Sequence, residues 1–152
     1  MKILLTIFFS LCLSFSLSAQ TYTGTVVFIK DGDTFVFQTE SGSLTVRMQG
    51  IDAPEKDQPF GQESKAFLMQ YKDRKGSLQT FGVDKYGRTL GVLFVDNENV
   101  NYLSVLNGAS WHYEQYSSDK KLAEAEKSAR EGKKGLWKDN NPTPPWEWRH
   151  KK

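Results

Sequence analysis

The chain has 152 residues and a formal net charge of +2, from 20 basic and 18 acidic side chains. This length suits one domain with a substantial core, and a charge so close to zero excludes strong overall attraction to a polyanion, so affinity for nucleic acid must come from local clusters. The single cysteine, Cys12, lies in the N-terminal segment, which excludes a disulfide framework in the remainder of the chain.

The first 19 residues have the pattern of a secretory leader. Lys2 precedes an apolar and small-residue run that ends at Ala19 before a polar start. A membrane span needs about 20 strongly apolar residues, and serines dilute this run. We therefore expect residues 1–19 to be a signal peptide, so that the mature protein is secreted or periplasmic, without stable membrane association. The alternatives are an uncleaved membrane anchor or lipid attachment at Cys12. Leu11 disfavours the second, because lipoprotein signals usually have a small residue before the cysteine.

Residues 20–140 carry the signals of one α+β domain that is mainly β. Apolar side chains alternate with period two in several of five segments with strand signals, residues 21–29, 34–39, 43–48, 77–83 and 89–95. Five short strands with one apolar face predict a small closed barrel. Three helices are predicted to cover it, over residues 61–73, after a cap at Asn99, and over residues 119–130.

The C-terminal segment, residues 141–152, is rich in proline and tryptophan and ends in a basic tip. Because proline interrupts both helix and strand, we expect an irregular tail that lies over the domain or is loose.

Three polar stretches follow or interrupt the strand segments: DGDT at residues 31–34, RMQGIDAPE at 47–55 and DKYGR at 84–88. At strand ends they could converge at one rim of the barrel. Taken alone, such a stretch is more typical of an ordinary turn or polar loop. Together they offer oxygen ligands for a divalent cation, a carboxylate for a water molecule and arginines for phosphate, a combination that suits phosphodiester hydrolysis.

The order of these blocks resembles the staphylococcal nuclease (thermonuclease) family. DGDT, R-x-x-G-I-D-A-P-E, DKYGRTL, NVNYL and GLW follow one another over residues 22–137, and the PPWEWR segment is similar to that of many bacterial members. The resemblance implies an OB-type five-stranded barrel with about three packed helices. It also implies a secreted, monomeric endonuclease that hydrolyses DNA and RNA with low sequence specificity and leaves 3′-phosphate products.

The resemblance also assigns roles in catalysis. Asp33 and Asp52 correspond to the family's calcium-ligand carboxylates, and the main-chain carbonyl of Ala53 to a third Ca²⁺ ligand, although the family often has threonine there. Arg47 and Arg88 correspond to the family's two phosphate-binding arginines, and Glu55 corresponds to its proposed general base. These three are the predicted catalytic residues.

Substrate binding is predicted for two further pairs. Lys85 and Tyr86 match positions near the terminal phosphate of a bound nucleotide, and Tyr113 and Tyr116 fall near a base-pocket tyrosine of the family. These last two belong to an aromatic patch whose alternative interpretation is packing at the barrel edge. For the whole protein, the alternatives are an OB-fold module that binds single-stranded nucleic acid without cutting it, and an extracytoplasmic scaffold or inhibitor domain.

Overall fold

In a computed structural model, residues 20–151 are described, and the predicted signal segment lies outside them. All five predicted strands are present within two residues of their predicted bounds: β1 (Gln20–Ile29), β2 (Thr34–Thr39), β3 (Gly42–Met48), β5 (Lys75–Val83) and β6 (Thr89–Val95). Short strands β4 (Ile51–Asp52), β7 (Glu98–Asn99) and β8 (Trp111–His112) complete the β structure of the described part.

The strands form a closed OB-type barrel. The antiparallel order β3-β2-β1-β5-β6 is closed by a parallel pairing of β3 with β6, in which Arg47 lies opposite Leu90. Alternate side chains of these strands fill the interior, among them Phe35, Phe37 and Leu93, none of which is accessible to solvent. Because β3 closes the barrel by pairing with the start of β6, Arg47 lies at the rim next to that strand.

The three predicted helices are α1 (Gly61–Met69), α2 (Val100–Leu106) and α3 (Lys120–Glu131). Asn99 caps α2 by accepting a hydrogen bond from the backbone N–H of Tyr102, and Asp119 caps α3 through that of Lys121. The predicted continuation of α1 to residue 73 is wrong, since Asp73 has a φ of +63°. Within residues 20–151, every helix is too short or too polar to cross a membrane.

A small second sheet brings a distant segment to the barrel rim. Strand β4 pairs antiparallel with β8, so that Asp52 lies opposite Trp111 and Ile51 opposite His112. This pairing places the aromatic residues that follow β8 next to the polar stretch that contains Asp52.

The expectation that the C-terminal segment is irregular is wrong. After a 3₁₀ helix (Gly135–Lys138), residues Pro145–His150 form a fourth helix, α4. Pro145 occupies its first turn, where a backbone N–H would have no helical partner, so proline favours the helix here. Helix α4 packs on the domain through Trp146, whose ring lies 5.5 Å from that of Trp111. The segment does lie over the domain, which is one of the two arrangements predicted from the sequence.

Candidate active site

The loop between β1 and β2 carries two carboxylates and lies against α1. The backbone N–H of Asp33 donates to Asp31 Oδ1 at 3.1 Å, and the hydroxyl of Thr34 donates to Asp33 Oδ1 at 3.0 Å. Gly32 lets this loop approach closely, because a Cβ atom there would lie 2.0 Å from Ser64 Oγ in α1. The position of Asp33 thus depends on a close contact between the loop and the helix.

Arg47 joins this loop to β4. Its Nη2 lies 2.8 Å from Asp52 Oδ1 and 3.3 Å from Asp33 Oδ2, while Nη1 donates to the carbonyls of Met48 and Ile51 at 2.7 and 2.8 Å. The backbone N–H of Ala53 donates to Asp33 Oδ2 at 2.8 Å. The structure therefore brings together four of the predicted site residues, Asp33, Arg47, Asp52 and Ala53, in one buried cluster.

Glu55 lies at the edge of this cluster, in the segment between β4 and α1. Its backbone N–H donates to Gln58 Oε1 at 3.0 Å, and its carbonyl lies 2.0 Å from where a Cβ of Gly61 would be. The backbone of Glu55 is thus held in place, while its side chain is 38% exposed and able to reach a substrate or a water molecule.

Sequence reasoning missed one member of the site, Arg149 of α4. Its Nη1 lies 2.8 Å from Glu55 Oε1 and 3.3 Å from Asp52 Oδ1, and its Nη2 lies 2.9 Å from Asp52 Oδ2. The family resemblance includes the PPWEWR segment that contains it but assigns no role to this arginine. The signal available in the sequence was an arginine beside tryptophans in an otherwise polar segment, but no local pattern pairs it with carboxylates nearly a hundred residues away.

The cluster holds more negative than positive charge. Burial and the neighbouring charge of Asp33 raise the pKa of Asp31 to about 6. Burial also raises the pKa of Asp52, and the charge of Asp33 adds to this effect while Arg149 and Arg47 oppose it. A divalent cation bound here would favour the ionised carboxylates, against both the burial and the repulsion by Asp33 that raise these pKa values.

The donor atoms fit a hard cation. Two aspartate carboxylates and a main-chain carbonyl, of Asp33, Asp52 and Ala53, are all oxygen donors, which Ca²⁺ accepts in flexible geometry together with water or substrate oxygens. Among the residues that the structure describes, no group of three or more His, Cys, Asp or Glu side chains is arranged to hold a metal ion.

The third polar stretch forms a separate group on the β5–β6 hairpin. Arg88 Nε donates to Asp84 Oδ2 at 2.8 Å, and its guanidinium carbon lies 5.4 Å from the centre of the Tyr86 ring. Lys85 Nζ lies 5.1 Å from the same ring, which is exposed. In the described part of the chain, Arg88 has no direct contact with the carboxylate cluster. It lies two residues before Leu90, the residue of β6 that is paired with Arg47 of β3.

The two predicted base-stacking tyrosines differ in accessibility. The ring of Tyr113 is stacked on Trp146, with centroids 5.3 Å apart and planes 7° from parallel, and the charge of Asp52 adds to the effect of burial in raising its pKa. Tyr116 lies 4.8 Å from Tyr113 and is 69% exposed. Tyr113 is therefore part of the packing around α4, whereas Tyr116 offers a ring to solvent.

Comparison with known proteins agrees with this arrangement. The model of the family "Staphylococcal nuclease homologue" matches residues 45–139. An uncharacterized endonuclease of Haemophilus influenzae is 43% identical over 154 aligned positions, which cover 97% of this chain and 85% of that protein. An uncharacterized endonuclease of Escherichia coli is 42% identical over 131 (85% and 86% of the two chains), and a micrococcal nuclease of Shigella flexneri is 37% identical over 140 (84% and 80%). With this likeness and an OB-type barrel carrying the family's motifs at its rim, the chain belongs to the staphylococcal nuclease family and is a nuclease that acts on nucleic acid.

Proposed function

We propose that this nuclease is a secreted, monomeric, calcium-dependent enzyme that hydrolyses phosphodiester bonds of DNA and RNA with low sequence specificity and leaves 3′-phosphate products. The observation that carries this proposal is the pair of buried carboxylates, Asp33 and Asp52, held on one nitrogen of Arg47 at 3.3 and 2.8 Å. Two buried carboxylates on one arginine leave negative charge that a bound cation would offset, and Glu55 lies next to the pair with a partly exposed carboxylate.

The arginines are proposed to bind the scissile phosphate. A guanidinium stabilises the charge that develops as a fifth oxygen approaches phosphorus, and its planar fork of N–H donors matches two phosphate oxygens. Arg88 uses Nε for Asp84 and would direct its terminal nitrogens to the phosphate. Both terminal nitrogens of Arg47 already donate to carbonyls and to Asp52, so Arg47 would act mainly through its positive charge. Arg47 lies inside the carboxylate cluster and Arg88 on the neighbouring hairpin, so the phosphate would lie between them.

Glu55 is proposed to accept a proton from the attacking water. Attack of this water on phosphorus breaks the bond to the 5′ oxygen, which leaves with the electron pair and takes up a proton, so the phosphate stays on the 3′ oxygen. When bound by Asp33, Asp52 and the carbonyl of Ala53, Ca²⁺ would act as a Lewis acid and as a template for the phosphate.

Low sequence specificity follows from the kind of contacts that are available. The arginines and Lys85 would bind phosphate, and an exposed tyrosine ring such as that of Tyr116 would stack on any base, so neither kind of contact reads base edges. None of the proposed contacts depends on the presence or absence of the 2′-hydroxyl. We therefore expect both DNA and RNA to be substrates.

One assay tests this proposal. Purified protein lacking residues 1–19 is incubated with plasmid DNA, single-stranded DNA and RNA, with calcium and with a chelator. We expect cleavage of all three substrates only with calcium, and a loss of turnover of at least about 10²-fold in Glu55→Gln with an unchanged circular dichroism spectrum. A gel shift without cleavage would instead identify a binding module, and activity in the chelator would exclude the proposed role of calcium. Secretion is tested separately, by N-terminal sequencing of the protein recovered outside the cytoplasm of the expressing bacterium.

A further inference from the structure

The carboxylate of Glu55 is held from outside the barrel. Within residues 20–151, the one hydrogen-bond and ion-pair partner of this carboxylate is Arg149, at 2.8 Å. The same guanidinium contacts both oxygens of Asp52, at 3.3 and 2.9 Å. Arg149 therefore connects the predicted general base to a predicted cation ligand through a single planar group.

Helix α4, which carries Arg149, is fixed to the domain by contacts in its first turn and just before it. Trp146 is stacked on Tyr113 and lies edge-on to Trp111. Before the helix, the side-chain amide of Gln58 donates to the carbonyl of Thr143 at 2.7 Å. Because Gln58 also accepts the backbone N–H of Glu55, one buried amide connects the segment before α4 to the loop that carries Glu55.

From these contacts we propose that Arg149 is a positioning residue of the nuclease reaction, which holds the carboxylate of Glu55 at a set orientation beside Asp52. This inference rests on the proposed function. It assigns a role in the active site to the C-terminal helix, which lies beyond the residues that the family model matches.

The physical reason is that two neighbouring carboxylates repel each other and that a glutamate side chain has several rotamers. Without a partner, the exposed Glu55 side chain would turn towards solvent and away from Asp52. A guanidinium that binds both groups removes the repulsion and selects one rotamer, because its donors are fixed in one plane. A small misplacement of a catalytic group is enough to reduce the rate by about 100-fold.

The test compares kcat and KM of the wild type with those of Arg149→Met and Arg149→Lys, on single-stranded DNA at saturating calcium. We expect Arg149→Met to lower kcat by about 10- to 100-fold while KM changes less than about 3-fold, because the residue acts through Glu55 and not on substrate binding. Arg149→Lys keeps the charge without the fork and should recover part of the loss. Arg74→Met is the matched control, since Arg74 is also paired with an aspartate, Asp96, but on a surface away from the site.

A second comparison isolates the route through Glu55. In a Glu55→Gln background, adding Arg149→Met should change kcat by less than about 3-fold, because the group that Arg149 positions has already lost its function. Thermal unfolding and circular dichroism of every variant show that kinetics are measured on folded protein. A merely structural Arg149 would lower the melting temperature and leave kcat of the folded fraction unchanged.

Three results would overturn the inference while the wild type cleaves normally: an unchanged kcat in Arg149→Met, an increased kcat, which would make Arg149 a blocking group, or an undiminished effect in the Glu55→Gln background. If the wild type fails to cleave with calcium, it is the proposed function that fails.

Discussion

Arg47 and Asp52 form an ion pair of 2.8 Å that is almost completely enclosed, with 12% and 2% of their side chains exposed. Arg47 also donates to the carbonyls of Met48 and Ile51, on both sides of the turn between β3 and β4. The residue is therefore part of the folded structure of the rim as well as a candidate phosphate ligand. Arg88, which pairs with Asp84 on a hairpin, has no comparable structural role in the described part.

This difference predicts that substitutions of the two arginines have different effects on the free energy of unfolding. Both Arg47→Met and Arg88→Met should lose nuclease activity. We expect Arg47→Met also to lower the free energy of unfolding by about 3 kcal/mol, because it leaves buried carboxylates undercompensated, whereas Arg88→Met should cost about 1 kcal/mol or less. Urea unfolding measures both values, with Arg74→Met as a surface control. Equal losses of stability in the two variants would contradict the structural role of Arg47.

The close approach of the Asp33 loop to α1 predicts that Gly32 does not tolerate a side chain. In Gly32→Ala the new methyl group would lie 2.0 Å from Ser64 Oγ and 2.8 Å from Ala53 Cβ, so the loop or the helix has to move. We expect a loss of about 1 to 3 kcal/mol in the free energy of unfolding, as for other overpacked sites. Calcium titration by calorimetry should also show weaker binding, because Asp33 moves with the loop.

The control for this variant is Gly132→Ala at the end of α3, where the closest atom to an added Cβ is the Ser128 carbonyl oxygen at 3.2 Å. Its stability should stay within about 1 kcal/mol of the wild type. A Gly32→Ala protein with wild-type stability and calcium affinity would show that the contact between loop and helix does not define the position of Asp33.

The β5–β6 hairpin predicts a pH-dependent contribution to stability. Burial acts to raise the pKa of Asp84, but hydrogen bonds from Arg88 and Tyr86 outweigh it and lower this pKa from the ordinary value of 3.8. A carboxyl group with a lowered pKa in the folded state stabilises the protein above the unfolded-state pKa, and this contribution disappears as the pH falls through the folded-state value.

The variant Asp84→Asn should therefore be less stable than the wild type by about 1 kcal/mol at pH 7, and the difference should shrink when both proteins are unfolded thermally at pH 3. A difference that stays constant from pH 7 to pH 3 would show that the ionised carboxylate is not what stabilises the hairpin.

The exposed ring of Tyr116 predicts its role in base binding. Because Tyr113 is covered by Trp146, Tyr116 is the member of the pair that can stack on an incoming base. Tyr116→Ala should raise KM for single-stranded DNA by about 5-fold, which corresponds to the lower end of measured stacking contributions. Tyr116→Phe keeps the ring and should retain the wild-type KM. A KM that rises equally in both variants would assign the effect to the hydroxyl.

Local patterns in the sequence are sufficient to predict the barrel strands, the capped helices and the residues of the three polar stretches. The period-two alternation of Phe35 and Phe37 identifies an inward face without reference to any other strand. Asn99 and Asp119 cap their helices with bonds two or three residues away, so their effect is readable from the adjacent sequence. The family motifs likewise place Arg47, Asp52 and Glu55 within one short stretch.

Only the tertiary structure decided what completes the site. The parallel pairing of β3 with β6 sets Arg88 at the same rim as Arg47, and the pairing of β4 with β8 brings the tyrosines to Asp52. Pro145 lies in the first turn of α4, where proline favours a helix, and only the structure shows that a helix begins there. Arg149 reaches Glu55 from 94 residues away, and a contact of that separation depends on how the whole chain packs, which no local periodicity encodes.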